Sequence, residues 1–460
     1  MVNLLSLLPN ELIAKISEYA DSKTKRELSM VDRRTHAVVL DAVRCIRVFP
    51  ASRFSYQSHP SDIPEDILVR VIRRYPTLER ITFGPPKNWG GSGEFGAKEV
   101  PYLKSLISYL ESNPENHPLS SVKKIECREI TQDMFGGFDK AQAKELNNRF
   151  LSAIGHNGLE NIRVKAYHIG SILTGTEIQP VLTNSPNLRT FVFDGFQSDQ
   201  TVSLSFASQP QLSKVKLLNW KGPASTIESL RHCEELEELV IDYRAYSSDE
   251  IKAILFGEHP WNLKRLELKG IAPRNDAELD ALTKKLPNLE CLGINLQSIS
   301  DDGMELLGRN CPNLKTLQFS NKDLTDSGLD RLTQHLPHLE IISFDVAYNI
   351  TEDGIAAIAR NCKNLRFIRV VHYKKIEKAG IDALVENCPD LRVVGFSHGG
   401  PVSLEGIHYM AEQMPNLHYV ELYSMRDVPE EQIQGFYQKF PQVRKIPYTS
   451  SVKKLHNLTI

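Results

Sequence analysis

The sequence predicts an α/β solenoid, a stack of short repeats of one strand, one turn and one helix, preceded by a small helical module. Three observations predict it. A phrase of Leu, two variable residues, an apolar residue, one variable and one apolar recurs from residue 78 almost to the last residue. A second phrase, apolar, hydroxyl, acidic, variable, Gly, opens the segments at 299, 324 and 350. The first 48 residues follow neither.

The repeat is clearest in Cys311-Pro312-Asn313-Leu314-Lys315-Thr316-Leu317-Gln318-Phe319. The anchors are Leu78, Leu119, Leu159, Leu188, Leu212, Leu236, Leu263, Leu289, Leu314, Leu339, Leu365, Leu391 and Leu417, with Val443 at the last. The final anchors are regularly spaced, and the steps from 78 to 119 and from 119 to 159 are long. Apolar-polar-apolar alternation in Leu317-Gln318-Phe319 is a short strand with one buried face. Leu324-Thr325-Asp326-Ser327-Gly328-Leu329 then starts a helix, with Thr325 as its N-cap and Asp326 in its first turn. Ile299-Ser300-Asp301-Asp302-Gly303 and Ile350-Thr351-Glu352-Asp353-Gly354 repeat that start. Pro337, Pro415 and Pro441 follow helix ends, where proline stops a helix. One strand and one helix per repeat give a right-handed solenoid, a curved parallel sheet inside with helices outside. An arc on the order of 60 Å follows from strand spacing.

Composition sets outer bounds. A chain of 460 residues exceeds one ordinary core, a limit that repeats escape because each packs only on its neighbours. Hydrophobic residues at 41% and charged residues at 24% are ordinary globular usage. A formal net charge of −2 leaves no overall footprint for nucleic acid or anionic lipid. No apolar run is long enough to span a membrane. The opening Met1-Val2-Asn3-Leu4-Leu5-Ser6-Leu7-Leu8-Pro9 lacks a basic leader, and the seven cysteines form no Cys-x-x-Cys pair. A reducing compartment, cytoplasmic or nuclear, is the expectation.

Cys233, Cys311, Cys362 and Cys388 each stand three residues before an anchor Leu, so a column of apolar thiols is expected rather than a metal site. Gly91-Ser92-Gly93-Glu94-Phe95-Gly96 matches a phosphate-loop pattern, but neither kinase partners nor a Lys-Ser/Thr pair follows. His335-Leu336-Pro337-His338 lacks the Glu and the spacing of a zinc protease. No Ser-His-Asp or Cys-His set stands out. The chain is expected to be no enzyme, with no cofactor and no metal.

Residues 1–48 suggest three short helices. Pro9 suits a helix start; Leu12, Ile13, Ile16 and Tyr19 form one apolar stripe; Thr24-Lys25-Arg26-Glu27 opens a second helix with Leu28 and Val31 inward. Leu4, Leu5, Leu7 and Leu8 add apolar surface, and small modules with such a surplus dock on something.

Leu8-Pro9-Asn10-Glu11-Leu12-Ile13-Ala14-Lys15-Ile16-Ser17-Glu18-Tyr19, with Leu28-Ser29-Met30-Val31-Asp32-Arg33, resembles an F-box. With the Cys and Ile-Thr-x-x-Gly-Leu positions from 236 to 446, the chain resembles the leucine-rich-repeat F-box family, cysteine-containing subtype. The resemblance implies an F-box at 1–48, repeats at 49–446 with insertions near 84–100 and 129–150, and a tail at 447–460. It implies that Leu7, Leu8, Pro9, Leu12, Ile13, Ile16, Leu28 and Val31 face a Skp-type adaptor, linking the chain to a cullin–RING ubiquitin ligase. The repeats then hold a protein client.

Client contacts belong on the concave face, between the buried strand positions. Middle repeats offer a mixed charged surface at Lys214, Lys216, Glu238, Asp242, Arg265, Glu267 and Lys269. Ile341, Phe367, Arg369, Val371, Val393, Tyr419 and Tyr423 offer aromatics beside an Arg, the usual composition of binding anchors. That patch is the expected client site; the alternative is that the tail from Tyr448 to Ile460 covers it. Two other functions remain: a leucine-rich scaffold without a ligase, and a GTPase-activating solenoid. The basic end at Lys453 and Lys454 disfavours the second.

Overall fold

The anchor leucines fall where each repeat turns from helix into strand, and all of them are buried. A computed structural model describes residues 45–48, 69, 72–73, 78–83, 100–128, 140–165, 175–195, 201–243, 249–257, 259–423 and 428–445. The chain divides into two compact units, Met1–Leu236 and Glu237–Ile460.

In the first unit, strands β1 (Cys45–Val48), β2 (Arg80–Phe83), β3 (Lys124–Arg128), β4 (Asn161–Lys165), β5 (Thr190–Asp194) and β6 (Lys214–Trp220) pair in parallel, each with the next in sequence. Helices α1 (Val100–Glu111), α2 (Lys140–Ile154) and α3 (Gly175–Thr183) stand between β2 and β3, β3 and β4, and β4 and β5, and α4 (Ala224–Ser229) follows β6; among the described residues β5 and β6 are joined by turns without a helix.

In the second unit the strands are β7 (Glu238–Tyr243), β8 (Arg265–Lys269), β9 (Cys291–Asn295), β10 (Thr316–Ser320), β11 (Ile341–Asp345), β12 (Phe367–Val371), β13 (Val393–Ser397), β14 (Tyr419–Tyr423) and β15 (Arg444–Lys445). They too pair in parallel and in order. The helices between them are α5 (Asp249–Leu255), α6 (Asp276–Thr283), α7 (Asp301–Asn310), α8 (Asp326–Thr333), α9 (Glu352–Asn361), α10 (Lys378–Asn387), α11 (Leu404–Gln413) and α12 (Glu430–Lys439). Both units have the strand-and-helix repeat of a leucine-rich solenoid.

The same turn recurs at each anchor. The N–H of Leu314, Leu365 and Leu391 donates to the carbonyl three residues back, at Cys311, Cys362 and Cys388. At β3 this turn is made by Val122, whose N–H donates to Leu119 at 2.8 Å. The anchor expected at Leu119 is therefore Val122. Both residues are buried and apolar, and only the turn separates their roles. Residues 140–150, expected within an insertion, are helical: they open α2, which stands between β3 and β4 as the other helices stand between their strands. The glycine-rich stretch 84–96 lies outside the described residues.

The helix starts are tied from repeat to repeat. Thr325 accepts from Gly328 N–H, as an N-cap should, and its own hydroxyl and N–H donate to Asp301 in the preceding helix. Ser300 is held by Asp276 and Thr351 by Asp326 in the same way. Each hydroxyl thus accepts within its own helix and donates to its neighbour. A Cβ at Gly303, Gly328 or Gly354 would overlap the carboxylate of Asp276, Asp301 or Asp326. The recurring glycine is required by that close approach.

The cysteine column is packed into the core. Cys311 Sγ lies 3.7 Å from the Leu286 carbonyl, Cys362 Sγ 3.6 Å from Leu336, and Cys388 Sγ 3.7 Å from Cys362. Burial pushes the thiols of Cys233, Cys311, Cys362 and Cys388 up to about 12. They are neutral, weak donors to carbonyls. Among the described residues no group of three or more His, Cys, Asp or Glu side chains is arranged to hold a metal.

Candidate protein-binding surface

Alternate residues of each strand point to one face of the sheet. In the first unit the outward positions of β4 and β6 are half-buried while the residues between them are buried. The second unit differs toward its last repeats, where all five residues of β13 are buried.

The expected client site lies there. Register brings Ile341, Phe367, Val393 and Tyr419 side by side across β11 to β14. They form one apolar column, in which Ile341, Phe367 and Val393 are 4%, 1% and 0% exposed and Tyr419 is partly buried. Val371, at the end of β12, is buried as well. Tyr423 is the last residue of β14. Ile341, Phe367, Val393 and Tyr419 are thus brought together as expected, but within the chain's own core rather than on open surface.

Beside the column, Arg369 reaches across β13 to Glu421. Nε donates to Oε2 at 2.9 Å and Nη2 to Oε1 at 3.2 Å. The side chains are 11% and 4% exposed, and Ser397 Oγ donates to Glu421 Oε1 at 3.1 Å. Gly395 makes this possible: a Cβ there would stand 3.0 Å from Arg369 Cγ. Gly293 similarly lies against Glu267, which Arg265 engages through Nε at 2.9 Å.

A ledge of rings at the ends of β11 to β13 is not foreseeable from the repeat pattern. Val346, His372 and His398, each directly after its strand, have φ of 63°, 59° and 53°. This left-handed turn brings His372 and His398 into stacking at 5.5 Å, with Tyr348 at 5.9 Å from His372. His372 Nδ1 faces Asp345 Oδ1 at 2.7 Å. Tyr348 is 55% exposed, an amphipathic side chain that suits contact with a protein. Buried Tyr373 packs edge-on to Phe396 at 6.0 Å behind the ledge. The sequence signal that could have found it is the pair of His residues one period apart after the strands.

Three of the middle-repeat charges, Arg265, Glu238 and Glu267, are paired along the sheet. Arg265 lies 3.5 Å from Glu238 as well as against Glu267. Arg163 lies 3.9 Å from Glu126 and 3.8 Å from Asp194. The adaptor-facing residues Leu7, Leu8, Pro9, Leu12, Ile13, Ile16, Leu28 and Val31 lie outside the described residues, as does the tail 447–460. No helix among the described residues is long and apolar enough to cross a membrane.

No family model and no curated protein matches this sequence. Among the solved structures that resemble the chain are the following two. One, from the Rad7 and Elc1 complex in yeast, is 14% identical, with a TM-score of 0.45, and covers 97% of this chain and 90% of its own. The other, from the TLR13–ssRNA13 complex, is 14% identical, with a TM-score of 0.42 over 73% of this chain, which spans about half its length at 50%.

Proposed function

We propose that this chain is the client-recognition subunit of a Skp–cullin–F-box ubiquitin ligase, in the cytoplasm or nucleus. Its N-terminal module would bind the adaptor and its repeats the client. The observation that carries the reading is Leu8-Pro9-Asn10-Glu11-Leu12, with apolar Leu7, Ile13, Ile16, Leu28 and Val31, set directly before a repeat array. The array supplies what a receptor needs, a long run of sheet face built from interchangeable repeats. In this reading the chain contributes no catalytic residue and acts by raising the effective concentration of client lysines near the ligase.

Purified protein mixed with a Skp-type adaptor should elute as a stable complex on gel filtration. Pro9→Ala/Leu12→Ala should abolish that complex while leaving the repeats folded. Failure of the wild type to bind would return residues 1–48 to the role of a solenoid cap. A scaffold without a ligase would then be the better account. That second reading is favoured by Lys25, where the F-box family usually has an apolar residue, and by Asp32-Arg33-Arg34-Thr35 in place of its common Cys-Arg-x-Trp.

A further inference from the structure

We infer that the sheet face of β2 to β6 is the client-docking surface and that it takes an acidic, Asp/Glu-rich protein segment. The inference rests on reading the repeats as the client-holding part of the chain, and it moves the client away from the apolar column of β11 to β14.

Strand register identifies the outward positions. One column runs Arg80, Lys124, Asn161, Thr190, Lys214. The next runs Thr82, Glu126, Arg163, Val192, Lys216. A third holds Lys165, Asp194 and Leu218. Six of these thirteen positions are Lys or Arg and two are acidic, a formal excess of four positive charges. Both carboxylates lie within 4 Å of Arg163, and Asp194 also accepts from Asn219 at 2.8 Å. The corresponding positions of β7 to β14 carry three basic residues, Arg265, Lys269 and Arg369. Against them stand five acidic ones, Glu238, Asp242, Glu267, Asp345 and Glu421. The positive face is therefore a property of the first unit.

Accessibility follows the same division. Arg80 and Lys124 are exposed, and Lys165, Lys214 and Lys216 are half-buried. The column expected to anchor the client is closed inside the chain. Neighbouring cations stand about 4.8 Å apart across strands and about 7 Å apart along them. Alternate side chains of an extended peptide repeat at about 7 Å, so a strand-like acidic segment can meet several cations at once.

Charge also decides between a peptide and a nucleic acid. The whole chain carries −2, so with four positive charges on this face the remainder carries −6. A long polyanion would extend past the face and meet that negative remainder, whereas a short acidic segment meets only the face. No aromatic residue occupies the thirteen positions, so single-stranded bases would find no stacking platform there.

The test uses the full chain and a fluorescein-labelled peptide of alternating Glu and Ser, read by anisotropy at low and physiological salt. A thymidine oligonucleotide of equal formal charge serves as the competing probe. The wild type should bind the peptide, more weakly as salt rises. Arg80→Glu/Lys124→Glu and Lys214→Glu/Lys216→Glu should each weaken binding by about tenfold or more. Lys124→Gln should weaken it less, and Arg360→Glu/Lys363→Glu, exposed in the other unit, should leave it unchanged. Equal peptide affinity in all variants would overturn the inference. So would tighter binding of the oligonucleotide through the same residues, which would assign the face to nucleic acid. Adaptor binding is measured on the same samples. A chain that takes the adaptor but not the peptide loses this inference and keeps the ligase reading. A chain that takes the peptide but never the adaptor keeps this inference and loses the ligase reading.

Discussion

His156 occupies the position that Cys311, Cys362 and Cys388 hold in other repeats, three residues before its anchor leucine. Its ring stacks on His117 at 4.8 Å, Nδ1 accepts from Gly158 N–H at 3.1 Å, and its buried Nε2 has no partner. Burial, with a smaller contribution from His117, lowers its pKa from 6.5 to about 4. Between those values the unfolded chain binds the proton more readily than the folded one, so acid favours unfolding. The folded state has its full stability from this ring above about pH 6.5. It loses on the order of 3 kcal/mol as pH falls to 4. His156→Leu should flatten that dependence. The urea midpoint of the wild type should fall more steeply than that of the variant as pH is lowered from 7 to 4.5. The thiols were legible from spacing alone, because a buried Cys is apolar at any pH near neutral. The histidine was not, because only its neighbours decide whether it carries charge.

At the scale of the helix, one substitution should have opposite signs at two glycines. Gly328 sits under the Asp301 carboxylate, which is pinned by both donors of Thr325. Gly328→Ala must displace that carboxylate and should cost about 1–3 kcal/mol despite alanine's better helix propensity. Gly435, in α12, has nothing within 4 Å of where a Cβ would stand. Gly435→Ala should therefore stabilise by about 0.5–1 kcal/mol. Chemical denaturation of the two variants tests both. The cap itself was readable in Thr325-Asp326-Ser327-Gly328, since capping is local chemistry. The link to Asp301 was not, because the partner stands 24 residues away and the sequence pattern carries no distance.

For the molecule as a whole, repeat spacing revealed the parallel run of strands and the starts of the helices. It misplaced one anchor, at Val122, where two buried apolar residues three apart both fit the phrase. It also left the last repeats' outer face open, although Ile341, Phe367 and Val393 are closed in the core. Alternation says which residues share a face and nothing about what lies over it. Phe367→Ala should accordingly act on stability, costing about 3–5 kcal/mol through the cavity left behind. Because each repeat leans on its neighbours, the loss should be concentrated in the second unit. Hydrogen exchange should quicken at amides of β11 to β13 while those of β3 to β5 keep their protection. Unchanged exchange would mean that Phe367 is a surface anchor after all.

The neutral thiols turn the second unit into its own recorder. With a pKa near 12, each of Cys311, Cys362 and Cys388 exists as thiolate to about one part in 10⁵ at pH 7. An alkylating reagent or peroxide therefore meets almost no nucleophile until a repeat opens. The rate at which each cysteine is labelled then measures how often its own turn of the solenoid comes apart, without any probe having been added.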